Sequence, residues 1–387
     1  MSGDDVMDDF ARAQALVLEL ARAADEATLR SQYHPDLSPL GWHLGHCVFV
    51  ECLWLHQQVR GDDSVTTPIA DLYIPPRTPK AERGRRLPAR AALLAWAAEM
   101  QAFNRTLARR LRADKPRHPL MDDDYLIHFL SQHNCQHHET MVMILNCKAL
   151  GGPAGEAQTP HPPLRARAPE RDHTARLPAG HYRVGGRAPV AFDNELPAHE
   201  TELASFRIGR RPLDNAAYLA FMEDGGYRDR SLWSEEGWHW RRRAAVEHPY
   251  HWRRDPAGHW YGIDMHGDHA LVAEEPVSGI SHFEASACAR WAGARLPHEY
   301  EWEAACRSGL LERTGQVWEW CATAFHPYPG YRSFPYPEYS QPWFDGRHYS
   351  LRGGSLHTAP AIKRPSFRNF YEADKRHIFA GLRLVYA

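Results

Sequence analysis

The sequence predicts two domains of different classes, a four-helix bundle followed by an irregular α+β domain that is rich in loops. The chain has 387 residues, which is long for a single hydrophobic core. Long helical periodicity ends near residue 150, where a run of glycine, proline and charged residues begins. Beyond that run the segments are short and rich in Gly, Pro, Trp and Tyr. We therefore expect a helical bundle over residues 1–150, a linker over 151–180 and a mixed domain over 181–387.

Four segments of the first domain repeat apolar residues at steps of three and four, which is the pattern of an amphipathic helix. Acidic residues open the first and the last of these segments, as is typical of helix N-termini. The segments cover residues 8–32, 39–59, 91–111 and 122–150. Four helices of this length predict a four-helix bundle.

The second domain shows helical periodicity in two short stretches, residues 283–292 and 299–305. Its other segments are short and are separated by glycine and proline. Loops that are held on a rigid scaffold are where ligand contacts concentrate. We therefore expect this domain to bind substrate.

Charge and composition exclude several classes of function. The formal net charge is -2, so the chain lacks the broad positive field that non-specific binding to nucleic acid requires. No apolar run approaches the ~20 residues of a membrane span, and the acidic N-terminus is unlike a signal peptide. The seven cysteines are scattered without a CxxC pair, which disfavours a disulfide framework and a thiolate zinc site. We expect a cytoplasmic protein with no nucleic-acid or membrane partner.

Histidines lie on the apolar stripes of two predicted helices. The stripe of the last helix includes His133 and His137, which are one turn apart. The stripe of the second helix includes His46. A lone buried histidine is usually a core residue that bonds a carbonyl, but three on facing stripes leave several ring nitrogens to satisfy. We therefore predict that His46, His133 and His137 bind one metal ion.

Three neighbouring residues fall off these stripes. His43 and His138 are displaced by at least one position, which suits surface or supporting roles. Glu139 is also displaced, and is either a surface charge or a group that orients a ligand imidazole. Three neutral histidines suit zinc, iron or nickel, so residue type alone leaves zinc hydrolysis and iron oxygen chemistry both open.

Motifs in both halves resemble those of known families. The pattern His-x3-His-x-Glu at His133, His137 and Glu139, with "WHLGH" upstream, resembles the iron site of the ergothioneine-pathway sulfoxide synthases, which lies in a DinB-like bundle. In the second half "FDNELPAHE", "RLPHEYEWEAA", "GQVWEW" and "LRGGSLHT" resemble the formylglycine-generating-enzyme fold, in that family's order. Formylglycine-generating enzymes use cysteines near the C-terminus. Because this chain has none after Cys321, we do not expect that activity.

The joint resemblance implies an enzyme with a mononuclear non-haem Fe(II) centre and O2 as co-substrate. Members of the family join sulfur or selenium to the imidazole C2 of hercynine, the trimethylated betaine of histidine. Two hercynine-binding positions of the family match Gln136 and Asn369. A third position, a tryptophan beside the betaine, is Phe370 in this chain. Its ring still suits a trimethylammonium group through cation–π attraction.

Two active-site tyrosines of the family are matched only in part. Tyr328 aligns with one of them, which makes it the candidate catalytic residue. The other, a proton donor during sulfoxide formation, falls on Phe325, which has no hydroxyl group and which we expect to bind substrate instead. Tyr73 of the first domain is an alternative proton donor. The competing interpretation is a loop tyrosine that packs on Pro75 and Pro76.

The position that contacts the chalcogen donor departs most from the family pattern. The family motif Arg-Asn-Trp-Asp reads "RNFY" here, so Tyr371 replaces the aspartate that contacts γ-glutamylcysteine. The selenoneine synthases within this family use a neutral selenosugar, and an aromatic ring suits the face of a sugar. The resemblance therefore implies a selenosugar donor. Arg83, Arg85 and Arg86 lie near the family's donor-binding arginines and are either ligands or surface charges.

Three alternatives to a selenosugar-dependent enzyme remain open from the sequence. The first is a hercynine sulfoxide synthase of ergothioneine biosynthesis, which uses cysteine or γ-glutamylcysteine. The second is a DinB-like zinc- or nickel-dependent thiol transferase or hydrolase that shares the three histidines. The third is a binding module without catalysis, in which the C-terminal motifs only hold the fold. Metal content and O2 consumption separate these alternatives.

Overall fold

The chain forms two compact units, the first helical and the second mixed. The computed structural model describes residues 3–114, 117–152, 157 and 159–386. The first unit comprises Met1–Gly151, Ala188–Val190 and Ala359–Ile362, and the second comprises Gly152–Arg187, Ala191–Thr358 and Lys363–Ala387. None of the described helices is both long and apolar enough to cross a membrane.

Four long helices and three short ones build the described part of the first unit. In chain order they are α1 (Gly3–Ala23), α2 (Glu26–Arg30), α3 (Leu40–Cys52), α4 (Ala70–Tyr73), α5 (Lys80–Arg86), α6 (Arg90–Asp114) and α7 (Tyr125–Leu150). Helix α3 continues as a π-helical stretch over Leu53–Gln58. Helices α1 and α3 each pack against both α6 and α7. The predicted four-helix bundle is therefore confirmed.

Two of the differences between predicted and observed helix boundaries have a local cause. The first predicted helix ends at Ala23, because the carboxylate of Asp25 accepts a hydrogen bond from Thr28 N (2.7 Å) and so caps a new helix. Helix α7 begins at Tyr125 and not at the predicted residue 122, because Asp123 and Asp124 adopt left-handed conformations with φ of 50° and 61°. In both places a local backbone preference overrides the apolar periodicity.

Helix α3 is buried along its whole length, since none of its 13 residues is more than slightly exposed. A helix that is apolar on every side is stable only where other elements cover all of it. The residues of α3 that lie outside its predicted apolar stripe are therefore buried as well.

The second unit consists of short strands and short helices. The described strands are β1 (Thr174–Leu177), β2 (Gly180–Val184), β3 (His199–Leu203), β4 (Phe206–Gly209), β5 (Trp252–Arg254), β6 (Trp260–Asp264), β7 (Gly267–Ala270), β8 (Trp318–Ala324), β9 (His348–Arg352), β10 (Asn369–Glu372), β11 (Ala380–Gly381) and β12 (Val385–Tyr386). Within the described residues they form sheets of the orders β1-β4-β12, β10-β9-β8-β11, β2-β3 and β5-β6-β7. The predicted fold class, a helical bundle followed by an irregular α+β domain, is confirmed.

The helices of the second unit include two that the sequence predicts and two that it does not. They are α8 (Asn215–Glu223), α9 (Glu235–Arg243), α10 (His282–Trp291) and α11 (Glu299–Arg307). Helices α10 and α11 match the predicted stretches. Helices α8 and α9 begin after Asp214 and Ser234, whose side chains accept hydrogen bonds from Ala217 N (2.9 Å) and Gly237 N (3.1 Å). These caps are the sequence signal that could have located both helices.

Strand β1 lies within residues 151–180, the segment that the sequence predicts to be a linker. It pairs antiparallel with β4, so that Ala175 lies opposite Ile208. Ala175, Leu177, Ile208 and Val385 are buried in one apolar cluster. The core of the second unit therefore includes residues that precede 180. A strand of four residues carries too short a pattern to be recognised from periodicity.

Candidate metal centre and substrate-binding residues

The structure brings three histidines of the first unit together. His46 lies on α3, and His133 and His137 lie one turn apart on α7. Each offers a ring nitrogen, and these three atoms lie within 4.8 Å of one another. The ring centroids are 4.4 to 5.2 Å apart. Three nitrogens at this separation can bind a single metal ion.

Hydrogen bonds at Nδ1 fix the orientation of two of these rings, those of His46 and His137. Nδ1 of His46 lies 2.8 Å from the carbonyl oxygen of Tyr73 and donates to it. Nδ1 of His137 lies 2.8 Å from Nδ1 of His43. Both contacts leave Nε2 of the ligand ring for an ion. An outer partner of this kind sets the tautomer and the orientation of a ligand imidazole.

Burial keeps the three rings neutral. It lowers the pKa of His46 to about 4, although the hydrogen bond to Tyr73 opposes the shift and the charge of Arg83 adds to it. Burial also lowers the pKa of His133 and of His137 well below the usual value, and the neighbouring histidines add to the effect. Neutral imidazole is the form that binds a metal, so protons do not compete for these nitrogens near neutral pH.

The residues of this cluster fit the iron that the family resemblance implies. Nδ1 of His133 is buried and has no hydrogen-bond partner among the described residues, and an unpaired buried nitrogen is costly. Imidazole nitrogens suit Fe(II), and they suit zinc and nickel as well. Three protein ligands leave positions in the coordination sphere of such an ion for other molecules.

The off-stripe residues near the cluster are not surface residues. His43 is 5% exposed and Glu139 is 4% exposed, whereas His138 is half-buried. The surface interpretation of His43 and Glu139 is therefore wrong. Periodicity assigns one inward face to each helix, but α3 is covered on all sides and α7 is buried on more than one.

Tyr73 lies inside the first unit and is 2% exposed. Its ring is parallel to that of Trp96, with a centroid distance of 6.0 Å. Its phenol lies against Gly45, where an added Cβ atom would come within 2.3 Å of the hydroxyl oxygen. A residue larger than glycine would displace the tyrosine, so Gly45 permits this close approach. Tyr73 thus ends helix α4 and contacts the turn of α3 that carries His46.

The three arginines of α5 differ in their placement. Arg83 is buried, donates to the carbonyl oxygens of Thr78 (3.0 Å) and Pro75, and lies 4.0 Å above the ring of Trp42. Arg85 and Arg86 are exposed. Arg83 therefore stabilises the connection that carries Tyr73, a role that spacing alone did not reveal.

Tyr328, the predicted catalytic residue, is 2% exposed in the second unit. Its hydroxyl accepts a hydrogen bond from Arg352 Nη2 (2.9 Å), and its ring lies 4.2 Å from the guanidinium of Arg368. Burial raises the pKa of this phenol, although both guanidinium groups oppose the shift. The hydroxyl belongs to a buried ionic cluster, and the catalytic role of Tyr328 stays a prediction.

Strand β10 divides its side chains between two faces. It is the edge strand of its sheet, and successive side chains of a strand point to opposite faces. Asn369 and Tyr371 therefore share one face, and Phe370 lies on the other. Phe370 stacks on Phe325 with a centroid distance of 4.2 Å, and Phe325 is 1% exposed. Phe325 thus supports an aromatic stack, and its contact with substrate stays a prediction.

The predicted substrate-binding residues belong to different units. Gln136 lies on α7 in the first unit, is half-buried, and follows His133 by three residues, which places it on a neighbouring part of the helix surface. Asn369, Phe370 and Tyr371 lie in the second unit and are each half-buried. The ring of Tyr371 lies edge-on to that of His377 at 6.3 Å.

Both halves of the chain match known protein families. Residues 9–141 match the DinB superfamily. Residues 159–314 and 308–387 match the sulfatase-modifying factor enzyme 1-like domain. These matches confirm the two resemblances that the sequence motifs indicate.

Three curated proteins illustrate the relationship. A hercynine oxygenase of Mycolicibacterium thermoresistibile is 33% identical, over 94% of this chain and 90% of that protein. A hercynine oxygenase of Mycobacterium tuberculosis is 34% identical, over 97% of each chain. A formylglycine-generating enzyme of Thermomonospora curvata is 34% identical over only 35% of this chain and 48% of that protein. Because similarity to the first two extends over both units, the chain belongs to the hercynine oxygenase family.

Proposed function

We propose that this chain is an O2-dependent non-haem iron(II) enzyme that joins selenium, supplied by a selenosugar, to the imidazole C2 of hercynine. Similarity to hercynine oxygenases over 94% and 97% of the chain supports hercynine as the acceptor. The observation that carries the metal part is the cluster of three neutral histidines, two of them buried and His137 half-buried, whose ring nitrogens lie within 4.8 Å of one another. Gln136 and Asn369 are the proposed hercynine-binding residues.

Iron(II) bound to His46, His133 and His137 would supply the activation of O2 and coordination positions for the substrates. The protein residues hold these ligands in the neutral form by burial and orient two of them by hydrogen bonds. His46 and His133 are each 7% exposed, so these two rings are largely shielded from solvent, and electrostatic interactions are stronger in such surroundings.

Tyr73 is the proposed proton donor, because Phe325 lacks a hydroxyl group and the hydroxyl of Tyr328 is bound to Arg352. The phenol of Tyr73 lies against Gly45, the residue that precedes the ligand His46. Burial raises the pKa of this phenol, so the hydroxyl keeps its proton throughout the neutral pH range.

We expect Tyr73→Phe to lower kcat by roughly 10²-fold, since proton transfer by a positioned side chain typically contributes 10²- to 10⁴-fold. Metal affinity should be unchanged, because the backbone carbonyl that accepts from His46 is retained. Steady-state O2 consumption and a metal titration measure the two effects. Tyr328→Phe is the matched control and should change kcat much less. A Tyr73→Phe enzyme with the wild-type rate would exclude this tyrosine as the donor.

The selenosugar part of the proposal rests on Tyr371. γ-Glutamylcysteine carries an ammonium group, and a site that binds a desolvated ammonium needs a counter-charge. The family's aspartate would supply that charge, whereas tyrosine at this position does not. A neutral sugar instead needs hydroxyl partners and an aromatic surface, both of which a tyrosine offers.

We expect kcat/KM to be at least roughly tenfold higher with a selenosugar than with γ-glutamylcysteine or cysteine, equivalent to about 1.4 kcal/mol. The measurement is a competition at equal donor concentrations, with hercynine, O2 and Fe(II)-reconstituted enzyme under reducing conditions, read by mass spectrometry. A sulfoxide as the main product would contradict the selenium proposal and favour a sulfoxide synthase, the activity class suggested by the hercynine oxygenase relatives.

Variants at residue 371 test the physical reason for this preference. Tyr371→Asp restores the carboxylate and should shift the ratio of the two kcat/KM values towards γ-glutamylcysteine. Tyr371→Phe keeps the ring without adding a charge and should leave γ-glutamylcysteine a poor donor. Equal donor ratios in all three proteins would show that residue 371 does not select the donor.

A further inference from the structure

The proposed metal ligand His137 is held by a second imidazole. Nδ1 of His137 lies 2.8 Å from Nδ1 of His43, and the ring centroids are 5.1 Å apart. The other fixed ligand, His46, bonds a backbone carbonyl instead. We propose that His43 is a positioning residue that fixes the tautomer and orientation of His137, an inference that rests on the proposed metal site.

The hydrogen bond between the two rings allows only one arrangement of protons when the ion is present. A hydrogen bond between two nitrogens needs one N–H and one lone pair. If His137 binds the ion through Nε2, its Nδ1 carries the proton and donates to Nδ1 of His43. His43 must then present a lone pair at Nδ1 and carry its own proton at Nε2.

The packing around His43 holds its ring in position for this hydrogen bond. The ring is only 5% exposed, so other side chains surround it on nearly every side. A doubly protonated His43 would have no lone pair and would turn an N–H towards the N–H of His137. Trp42 packs edge-on against the ring of His43, with centroids 5.3 Å apart, and limits its rotation.

Helix geometry explains why this contact exists. His43 and His46 are three residues apart on α3, so their side chains leave the helix on the same side. One of them can bind the ion while the other supports a ligand from the facing helix α7. The sequence "WHLGH" therefore encodes a ligand together with the supporting group of a different ligand.

The test compares two polar replacements of His43. His43→Asn keeps an acceptor close to the position of Nδ1, because the amide oxygen of asparagine is attached at the same point of the side chain. His43→Gln places its amide further along, near the position of Nε2. Both variants keep a polar group of similar size, so their folding should be comparable, and thermal unfolding checks this.

Affinity for Co2+ is measured anaerobically by competition with a chromophoric chelator, together with the visible absorption of the bound Co2+. We expect His43→Gln to bind Co2+ roughly 10- to 100-fold more weakly than wild type with an altered spectrum, as is typical when an outer partner of a ligand is lost. The Co2+ affinity of His43→Asn should remain within roughly threefold of wild type, a smaller loss than is typical when an outer partner is removed.

His56→Gln is the control, since His56 is also buried in the first unit but bonds Asn104 Oδ1 (3.0 Å) and not a ligand histidine. Its Co2+ affinity should equal that of wild type. Folded His43→Gln with wild-type affinity, or equal losses in His43→Asn and His43→Gln, would overturn the inference. The assay needs neither hercynine nor a donor, so failure of the proposed reaction would not affect it. Absence of Co2+ binding by the wild-type protein would overturn the metal site and the inference together.

Discussion

Replacing His137 with alanine is expected to abolish O2-dependent turnover and to weaken metal binding by more than about a hundredfold. Loss of a ligand should exceed the 10- to 100-fold effect that is typical of losing an outer partner. The variant removes one of the three nitrogens that lie within 4.8 Å of one another. The fold should persist, because the apolar residues of α7 still pack. Iron content by mass spectrometry and O2 consumption measure the result.

His138→Ala is the control for this experiment. It changes the next residue of α7, which is half-buried and lies outside the cluster. Its metal content should equal that of wild type. If His137→Ala keeps full iron occupancy and normal activity, the assignment of His46, His133 and His137 as the metal ligands is wrong.

Replacing Glu299 with alanine is expected to destabilise the second unit by about 3 to 5 kcal/mol, the typical effect of removing one partner of a buried ion pair. Arg368 donates to both carboxylate oxygens of Glu299, each at 2.8 Å, and Arg352 donates to one of them at 3.0 Å. All three side chains are fully buried. The variant would leave two guanidinium groups inside the protein without this counter-charge.

The same carboxylate makes the stability depend on pH. Burial alone would raise the pKa of Glu299, but Arg368 and Arg352 outweigh it and lower the pKa to about 2. The native state therefore binds a proton less readily than the unfolded state, so this contribution is complete above the unfolded pKa and is lost as pH falls towards 2. The free energies of unfolding of Glu299→Ala and of wild type, measured in urea, should therefore become more similar as the pH is lowered through that range.

Glu312→Ala is the control in the same unit. Glu312 pairs with Arg211 at 2.9 Å, but both side chains are more than a third exposed, and exposed pairs contribute little to stability. Its urea midpoint should stay close to that of wild type. An unchanged midpoint for Glu299→Ala at pH 7 would show that the buried cluster does not stabilise the unit.

The sequence predicted the features that depend on periodicity. The stripes of α3 and α7 placed His46, His133 and His137 on facing helices, and the structure brings them together. The same reasoning failed for His43, because a stripe identifies one inward face and α3 is covered on every side. Whether an off-stripe residue is buried depends on neighbours that are distant in sequence.

Residues outside the regular helices were harder to interpret. The burial of Tyr328 follows from Arg352 and Arg368, which lie 24 and 40 residues later in the chain, and no local pattern shows this contact. The approach of Tyr73 to Gly45 is likewise a long-range contact. The opposite faces of Asn369 and Phe370, in contrast, follow from strand alternation once residues 369–372 are known to form a strand.

The alternation along β10 also places residue 371 and the aromatic stack on opposite faces of the strand, so that each can change in evolution without the other. Position 371 faces away from the ring of Phe370, which is stacked on Phe325. A substitution at 371 therefore alters one surface of the strand without repacking the aromatic residues on the other. If residue 371 contacts the donor, as we propose, single mutations there change the donor preference while the stacked rings of Phe325 and Phe370 keep their packing.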